Sequence, residues 1–406
     1  MPSYAAFVGH LPAISKAEIS AAFPDVTFRR MVGKQVLLFE TSADIGQKDL
    51  DRLGGTVLLA KRITDAGVSL GDVPKILAGE LEGTKGKATF GLRTVGVHPP
   101  RVKNMYRDGK DLLKKKGKPS RYVGNERMPA ATALLHDGGL LDPKSGCELV
   151  ILEDSENKFL WIGRTVAAQN PSAYTKRDME KPVRDTRVGL LPPKLAQILL
   201  AFGTWLLQEK NGGKIPKHIT MFDPFCGTGV IPMEALLLGY EVLASDSSLK
   251  AVNGCEKNLD WMRKHFDIKK KDVPSSVWKQ DALKPFDLKT LPDIIVSETT
   301  LGPPLTDRPN VKEANSLRAA ADLLQLNFLK NAAATLPGVP LALTWPAWYL
   351  KTGVVTLERT WKALENLPYK AVLPPGSEPE SAERPTLIYR RPETVVGREI
   401  VLLLPK

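Results

Sequence analysis

One short stretch limits what this chain can become: Met221-Phe222-Asp223-Pro224-Phe225-Cys226-Gly227-Thr228-Gly229. An apolar run at 218–222 precedes the turn and another at 231–238 follows it, so a strand, a glycine-rich turn and a helix are expected in that order. Glycines at such a turn let the backbone approach a bound molecule without a Cβ in the way. This is not the dinucleotide fingerprint, because Pro232 stands where its third glycine would be. Further strands are expected at 240–244, just before Gln280, at 293–297 and at 341–344, with a helix starting near Leu249. That alternation is the pattern of a doubly wound α/β domain. Edge strands at 369–373, at 386–390 and up to Leu404, with a proline-rich loop at 374–385, close it. Upstream, Pro193 suits a first helical turn, and Leu195, Ile198, Leu199, Phe202 and Leu206 mark one apolar face.

The first part of the chain alternates differently. Strands are expected at 4–9, 26–30, 36–40 and 57–63. A helix to residue 23 opens on the capping-box pattern Ser15-Lys16-Ala17-Glu18, and a second covers 47–53. The order βαββαβ is the ferredoxin-like arrangement. A second block holds a helix at 74–81, a strand at 87–97, a basic helix, a short strand at 121–123 and a small helix at 130–135 stopped by Asp137-Gly138-Gly139. Strands at 148–153 and 159–166 end it. Residues 170–184 are polar, contain Pro171 and Pro182, and read as a linker. The expected division is 1–68, 69–169, a linker at 170–183, and 184–406.

Charge points to an anionic partner. The net charge is +12, and residues 98–122 carry nine basic residues against two acidic ones. Met105, Leu112 and Leu113 fall at helical spacing there, and Gly117 ends the helix. Like charges this dense repel one another unless something anionic offsets them. Lys103, Arg107, Lys114, Lys115, Lys116 and Arg121 are therefore the expected phosphate contacts, with a solvated helix face as the plain alternative. Three cysteines cannot build a disulfide framework, which fits a reducing, cytoplasmic compartment. Neither the cysteines nor the five histidines have metal-ligand spacing, so no metal is expected. No run approaches the roughly 18 apolar residues of a membrane helix, and the N-terminus lacks a signal-peptide pattern.

The stretch from Asp223 to Gly229 resembles motif I of S-adenosylmethionine-dependent methyltransferases. The resemblance implies that Asp223 faces the cofactor's ammonium, that Gly227 and Gly229 admit its methionine moiety, and that Phe225 also belongs to the cofactor site. Asp246, 23 residues after Asp223, ends the second expected strand, where an acid can hold both ribose hydroxyls. Capping the next helix is its alternative role. Asp281 could accept from the adenine amine. After the fourth strand, amino-group methyltransferases carry Asp or Asn, two prolines and an aromatic. This chain has Glu298-Thr299-Thr300-Leu301-Gly302. Glu298 and Thr300 are thus the candidate catalytic residues. Trp345, Trp348 or Tyr349 could supply the missing stacking ring, although core packing explains the tryptophans equally well. A site that has lost catalysis is the other reading of this loop.

The second block, with Ser120-Arg121-Tyr122-Val123, Gly138-Gly139 and Ile162-Gly163-Arg164-Thr165-Val166-Ala167-Ala168-Gln169, resembles a THUMP domain. Over nearly its whole length the chain resembles the THUMP-containing tRNA (guanine-N2) methyltransferases. Residues 184–196, motif I and the tail are the most specific points, and the loop at 298–301 is the departure. The implied architecture is α/β: a C-terminal doubly wound, Rossmann-like methyltransferase domain preceded by a ferredoxin-like α+β domain and a THUMP α/β domain. The implied activity is methylation of the exocyclic amine of a guanosine in tRNA, commonly position ten. S-adenosylmethionine is the implied cofactor, tRNA the partner, and a small activating subunit an optional one. An RNA-binding pseudoenzyme and a DNA amino-methyltransferase are the rivals, and the RNA-type arm argues against the second.

Overall fold

The computed structural model describes residues 1–65, 67–184 and 191–406. They form two compact units, one of Met1–Ser15 with Phe23–Thr175, the other of Lys16–Ala22 with Lys176–Lys406. No helix of the described residues is long and apolar enough to cross a membrane.

The N-terminal elements run β1 (Ser3–Val8), α1 (Pro12–Ala22), β2 (Thr27–Val32), β3 (Val36–Glu40), α2 (Gln47–Leu50) and β4 (Thr56–Arg62). Then come α3 (Val73–Glu80), β5 (Ala88–Val95), α4 (Pro99–Lys115), β6 (Ser120–Val123), α5 (Thr132–Asp137), β7 (Gly146–Asp154) and β8 (Phe159–Ala168). All eight strands lie in one sheet, in the order β2-β3-β1-β4-β8-β7-β5-β6. The first four pair antiparallel, in the order that βαββαβ connectivity dictates. The ladder then continues without a break, because β4 pairs antiparallel with β8 from Leu58↔Ala168 to Arg62↔Gly163.

Two local expectations change here. Helix α1 starts at Pro12, so Ser15 lies inside it and is not a cap. Its hydroxyl donates to the carbonyls of Leu11 and Gly55 (3.3 and 2.8 Å). Proline fits a first helical turn because that turn's N–H has no intrahelical partner. The same physics places a helix within the expected linker. Pro171 opens α6 (Pro171–Met179), and the Asn170 side chain accepts from the N–H groups of Ser172 and Ala173 (3.0 and 3.3 Å).

The C-terminal unit continues with α7 (Pro193–Lys210), β9 (Thr220–Asp223), α8 (Val230–Leu237), β10 (Glu241–Asp246), α9 (Leu249–Phe266), β11 (Ser275–Lys279) and β12 (Ile294–Glu298). It ends with α10 (Val311–Thr335), β13 (Leu341–Tyr349), β14 (Val354–Val355), α11 (Glu358–Ala363), β15 (Tyr369–Ala371), β16 (Leu387–Tyr389) and β17 (Val396–Pro405). The nine-stranded sheet has the order β11-β10-β9-β12-β13-β17-β15, with β14 on β13 and β16 on β17. The first five strands of that order are parallel, and β17 is antiparallel to β13. Strands buried on both faces must be apolar throughout, which Ile294-Ile295-Val296 and Leu341-Ala342-Leu343 are. The expected apolar face of α7 is buried as Leu195, Ile198, Leu199, Phe202 and Leu206. Strand β13 runs past its expected end at Thr344. Pro346 lacks an N–H, yet β17 pairs along the whole strand to Trp348↔Val396.

Candidate active site and basic helix

Strand order reverses at β9: the chain steps outward to β10 and β11, then returns to β12 on the other side of β9. In open parallel sheets the crevice at the carboxyl ends of such strands is where ligands bind. The expected site residues gather there. Asp223 ends β9 and is 1% exposed. Its Oδ1 accepts from the Ser297 hydroxyl at 2.6 Å and from the Phe225 N–H at 3.1 Å. Burial pushes its carboxyl up to about 7, the two hydrogen bonds oppose that, and the charges of Asp246 and Glu298 add to it. Asp246 ends β10. It accepts from the N–H of Gly227 through Oδ2 (3.1 Å) and from that of Ser248 through Oδ1 (2.8 Å). The alternative role of Asp246, capping α9, falls instead to Ser248, which accepts from Ala251 N–H.

The turn between β9 and α8 has the conformation its glycines permit. Gly227 has φ +51° and open space where a Cβ would project. Gly229 has φ +87°, and a Cβ there would meet Cys255 Sγ at 2.6 Å. A ligand can therefore lie against the Gly227 backbone, between the Asp223 and Asp246 strands, and these carboxylate acceptors suit an ammonium and a pair of hydroxyls. Phe225 is half-buried, its ring at right angles to that of Phe328 at 5.1 Å, and its N–H donates to Asp223. The exposed carboxylate of Asp281 takes the N–H of Leu283 at 2.9 Å.

Sequence reasoning missed three residues that hold this site. Ser297 is a single hydroxyl at the end of an apolar strand, and that polarity is its signal. Asn258 is fully buried on α9, where it accepts from Val183 N–H (2.9 Å) and donates to the carbonyls of Val183 (2.9 Å) and Thr228 (2.8 Å). It thereby ties the glycine turn to the segment entering the unit. The third, Arg398, donates through Nε to Glu298 Oε1. Residues 185–190, six of the thirteen in the specific stretch at 184–196, lie outside the described residues. Behind the turn, Glu234 on α8 is 1% exposed and receives Arg177 Nε at 2.8 Å. The Lys181 side chain is wholly buried, 3.6 Å from Asp178.

Glu298 ends β12, and Arg398 already occupies one of its oxygens. Burial raises its carboxyl, while the guanidinium's charge and hydrogen bond pull it back. Thr299 turns inward: its hydroxyl donates to the Thr344 carbonyl (2.6 Å) and accepts from Gln325 (2.5 Å). Thr300 is exposed, with its hydroxyl accepting from the Gly302 N–H at 3.2 Å. Trp345 and Trp348 are 0% and 1% exposed, so neither indole offers a free stacking face. Arg390 covers the Tyr349 ring at 3.9 Å.

On α4, Val102, Met105, Tyr106, Gly109 and Leu113 are buried, and Leu112 is half-buried. Lys103, Arg107, Lys114 and Lys115 are exposed on it, Lys116 is exposed just past its end, and Arg121 is exposed on β6. Arg107 pairs with Asp108 (3.0 Å), and Arg121 donates to the Thr89 hydroxyl (3.1 Å). The three consecutive lysines have no acidic partner among the described residues.

Among solved structures, the chain is similar to TrmN from Thermus thermophilus, at 17% identity over 100% of both chains with a TM-score of 0.51. The C-terminal unit has the class I S-adenosylmethionine-dependent methyltransferase fold. Magnesium protoporphyrin IX methyltransferase from Synechocystis matches at 14% identity over 59% of this chain and 99% of its own, with a TM-score of 0.33. A TehB-like methyltransferase from Corynebacterium glutamicum matches at 13% identity over 58% and 100%, with a TM-score of 0.29. No protein-family model and no curated protein matches the sequence.

Proposed function

We propose that this chain transfers a methyl group from S-adenosylmethionine to the exocyclic amine of a guanosine in tRNA, in the cytoplasm. The observation that carries the reading is the set of three carboxylates, Asp223, Asp246 and Glu298, at the carboxyl ends of β9, β10 and β12 around an open glycine turn. When bound, S-adenosylmethionine would supply an electrophilic methyl group. Asp223 would hold its ammonium, Asp246 its ribose and Asp281 its adenine. Glu298 Oε2 would accept a hydrogen bond from the target amine, turning the nitrogen lone pair to the methyl group, and could take up the proton released on transfer. Thr300, exposed beside it, would face the incoming base. The N-terminal residues 1–68 and 69–169 would act as a ferredoxin-like and THUMP-like RNA arm, joined through 170–183 to the catalytic residues 184–406.

Mass spectrometry of nucleosides from tRNA incubated with protein and cofactor tests the reading. N2-methylguanosine is the expected product, and no transfer to any tRNA, even with candidate activating subunits, would reject it. The ion pair on Glu298 and the inward Thr299 favour one second reading, an RNA-binding protein that keeps the cofactor without turnover. Cofactor binding without transfer would select it.

Each half of the reading can be tested separately. Asp223→Ala and Asp246→Ala should each weaken cofactor binding by about 1–3 kcal/mol, the size of a hydrogen bond to a charged group. Because burial pushes the Asp223 carboxyl up to about 7, it holds its proton below that value. An ammonium needs the ionised carboxylate, so binding should release a proton and tighten as pH rises toward 7. Calorimetry in buffers of different ionisation enthalpy measures this, and proton release that persists in Asp223→Asn would disprove the assignment. For the RNA half, neutralising Lys114, Lys115 and Lys116 should weaken tRNA binding. It should also flatten the dependence of log K on log salt by roughly 0.7–0.9 for every phosphate the variant no longer neutralises. A salt series identical to wild type would make the charge run a solvated face.

A further inference from the structure

We propose that Arg398 is a positioning residue for the transfer: it clamps one oxygen of Glu298 and keeps the carboxylate ionised, with the other oxygen left for the target amine. The inference rests on the functional reading above and adds a residue to it.

The register makes the clamp possible. Glu298 pairs with Thr344 on β13, Thr344 pairs with Ile400 on β17, and Arg398 lies two residues from Ile400. Side chains at i and i+2 share a face of the sheet, so Arg398 and Glu298 project to the same side and the arginine reaches across β13. Both side chains are largely buried, at 12% and 15% exposure. Among the described residues, each is the other's one hydrogen-bond partner, through Nε and Oε1. Oε2 of Glu298 has no hydrogen bond among the described residues and is not fully buried, so it is free to accept one. The other acid facing Glu298 is Asp223 from β9, with Asp246 of β10 beside Asp223. Strand β13 brings no ionisable side chain to this point. Glu399 on β17 is turned away, held by Arg384 (2.7 Å) and Thr386 (2.8 Å).

Among the described residues, Arg398 is thus the one positive charge acting on this largely buried acid. Without it, burial alone would keep the proton on Glu298 to higher pH, and a protonated carboxyl is a poor acceptor for an amine.

The test uses the full chain with carboxyl-13C-labelled glutamate, the Glu298 signal being assigned by its loss in Glu298→Gln. In Arg398→Gln the Glu298 titration midpoint should rise by about one pH unit or more, while Arg398→Lys should stay near wild type. In methylation assays the acidic limb of kcat should move upward with it, KM for RNA should hold, and Arg398→Lys should restore the profile. An unmoved midpoint in Arg398→Gln overturns the proposal. So does activity lost equally at every pH in both variants, which is the mark of a purely structural role. Should Arg398→Gln not fold, Glu298→Gln is added to it. Recovery of folding shows that the uncompensated carboxylate was the fault, and a double variant that also fails overturns the pairing. The carboxyl titration needs neither cofactor nor RNA. A wild type that transfers no methyl group would therefore reject the functional reading while the titration still decides on Arg398.

Discussion

Glu298→Ala is expected to slow single-turnover methyl transfer by about 10²–10⁴-fold, the contribution of a positioned acid–base group. Glu298→Gln should lose less, because an amide oxygen still accepts a hydrogen bond although it cannot take a proton. Binding of cofactor and tRNA should survive both changes, since the Asp223 and Asp246 strand ends and the α4 lysines are untouched. Removing Glu298 also leaves Arg398 without its one described hydrogen-bond partner, in a pocket where it is 12% exposed. The alanine variant should therefore melt lower than the glutamine variant, and comparing the two separates loss of chemistry from loss of fold. An alanine variant as fast as wild type would move the acceptor role to another residue.

Arg177→Met should destabilise the protein by about 3–5 kcal/mol, the cost of removing one partner from a buried ion pair. Glu234 is 1% exposed, and its Oε2 already lacks a hydrogen-bond partner. Burial raises its carboxyl, and Arg177 is the larger of the two cations that oppose this, ahead of Lys181. The sign with pH follows. A carboxyl raised in the folded state holds its proton where the unfolded chain has released it, so stability falls as pH climbs from the ordinary carboxylate range through the folded value. In Arg177→Met that fall should be larger and reach to higher pH, and acid should partly rescue the variant. Urea titrations at several pH values would measure both effects. Loss under about 1 kcal/mol would show that Lys181 compensates fully.

The α/β character of the C-terminal unit is legible because its cues are local: apolar runs of strand length, a glycine turn after one of them, and acids at two strand ends. The βαββαβ start is legible for the same reason. Misreadings arise where one residue type has two meanings. Pro171 looks like a breaker in a polar stretch but serves as a first-turn residue, and Ser15 fits a cap pattern that Pro12 pre-empts by starting the helix earlier. Pro346 hides the continuation of β13, which exists only because β17 pairs with it. The candidate site divides in the same way. Asp223, Gly227, Gly229 and Asp246 announce themselves by spacing along the chain. Arg398 meets Glu298 across 100 residues of sequence, and Ser297 meets Asp223 across 74, so no periodicity encodes either partnership.

The pairing of β4 with β8 sets an order of events on the ribosome. Strands β1 to β4 can assemble as soon as they emerge, but one edge of β4 stays uncovered until residues 159–168 have been made. A bare edge is a row of unpaired N–H and C=O groups that any other extended chain can join. Throughout synthesis of the intervening block, the nascent protein therefore carries a docking strip meant for its own later residues. A polypeptide halted before residue 159 would leave that strip exposed, as an adhesive fragment rather than a smaller working arm.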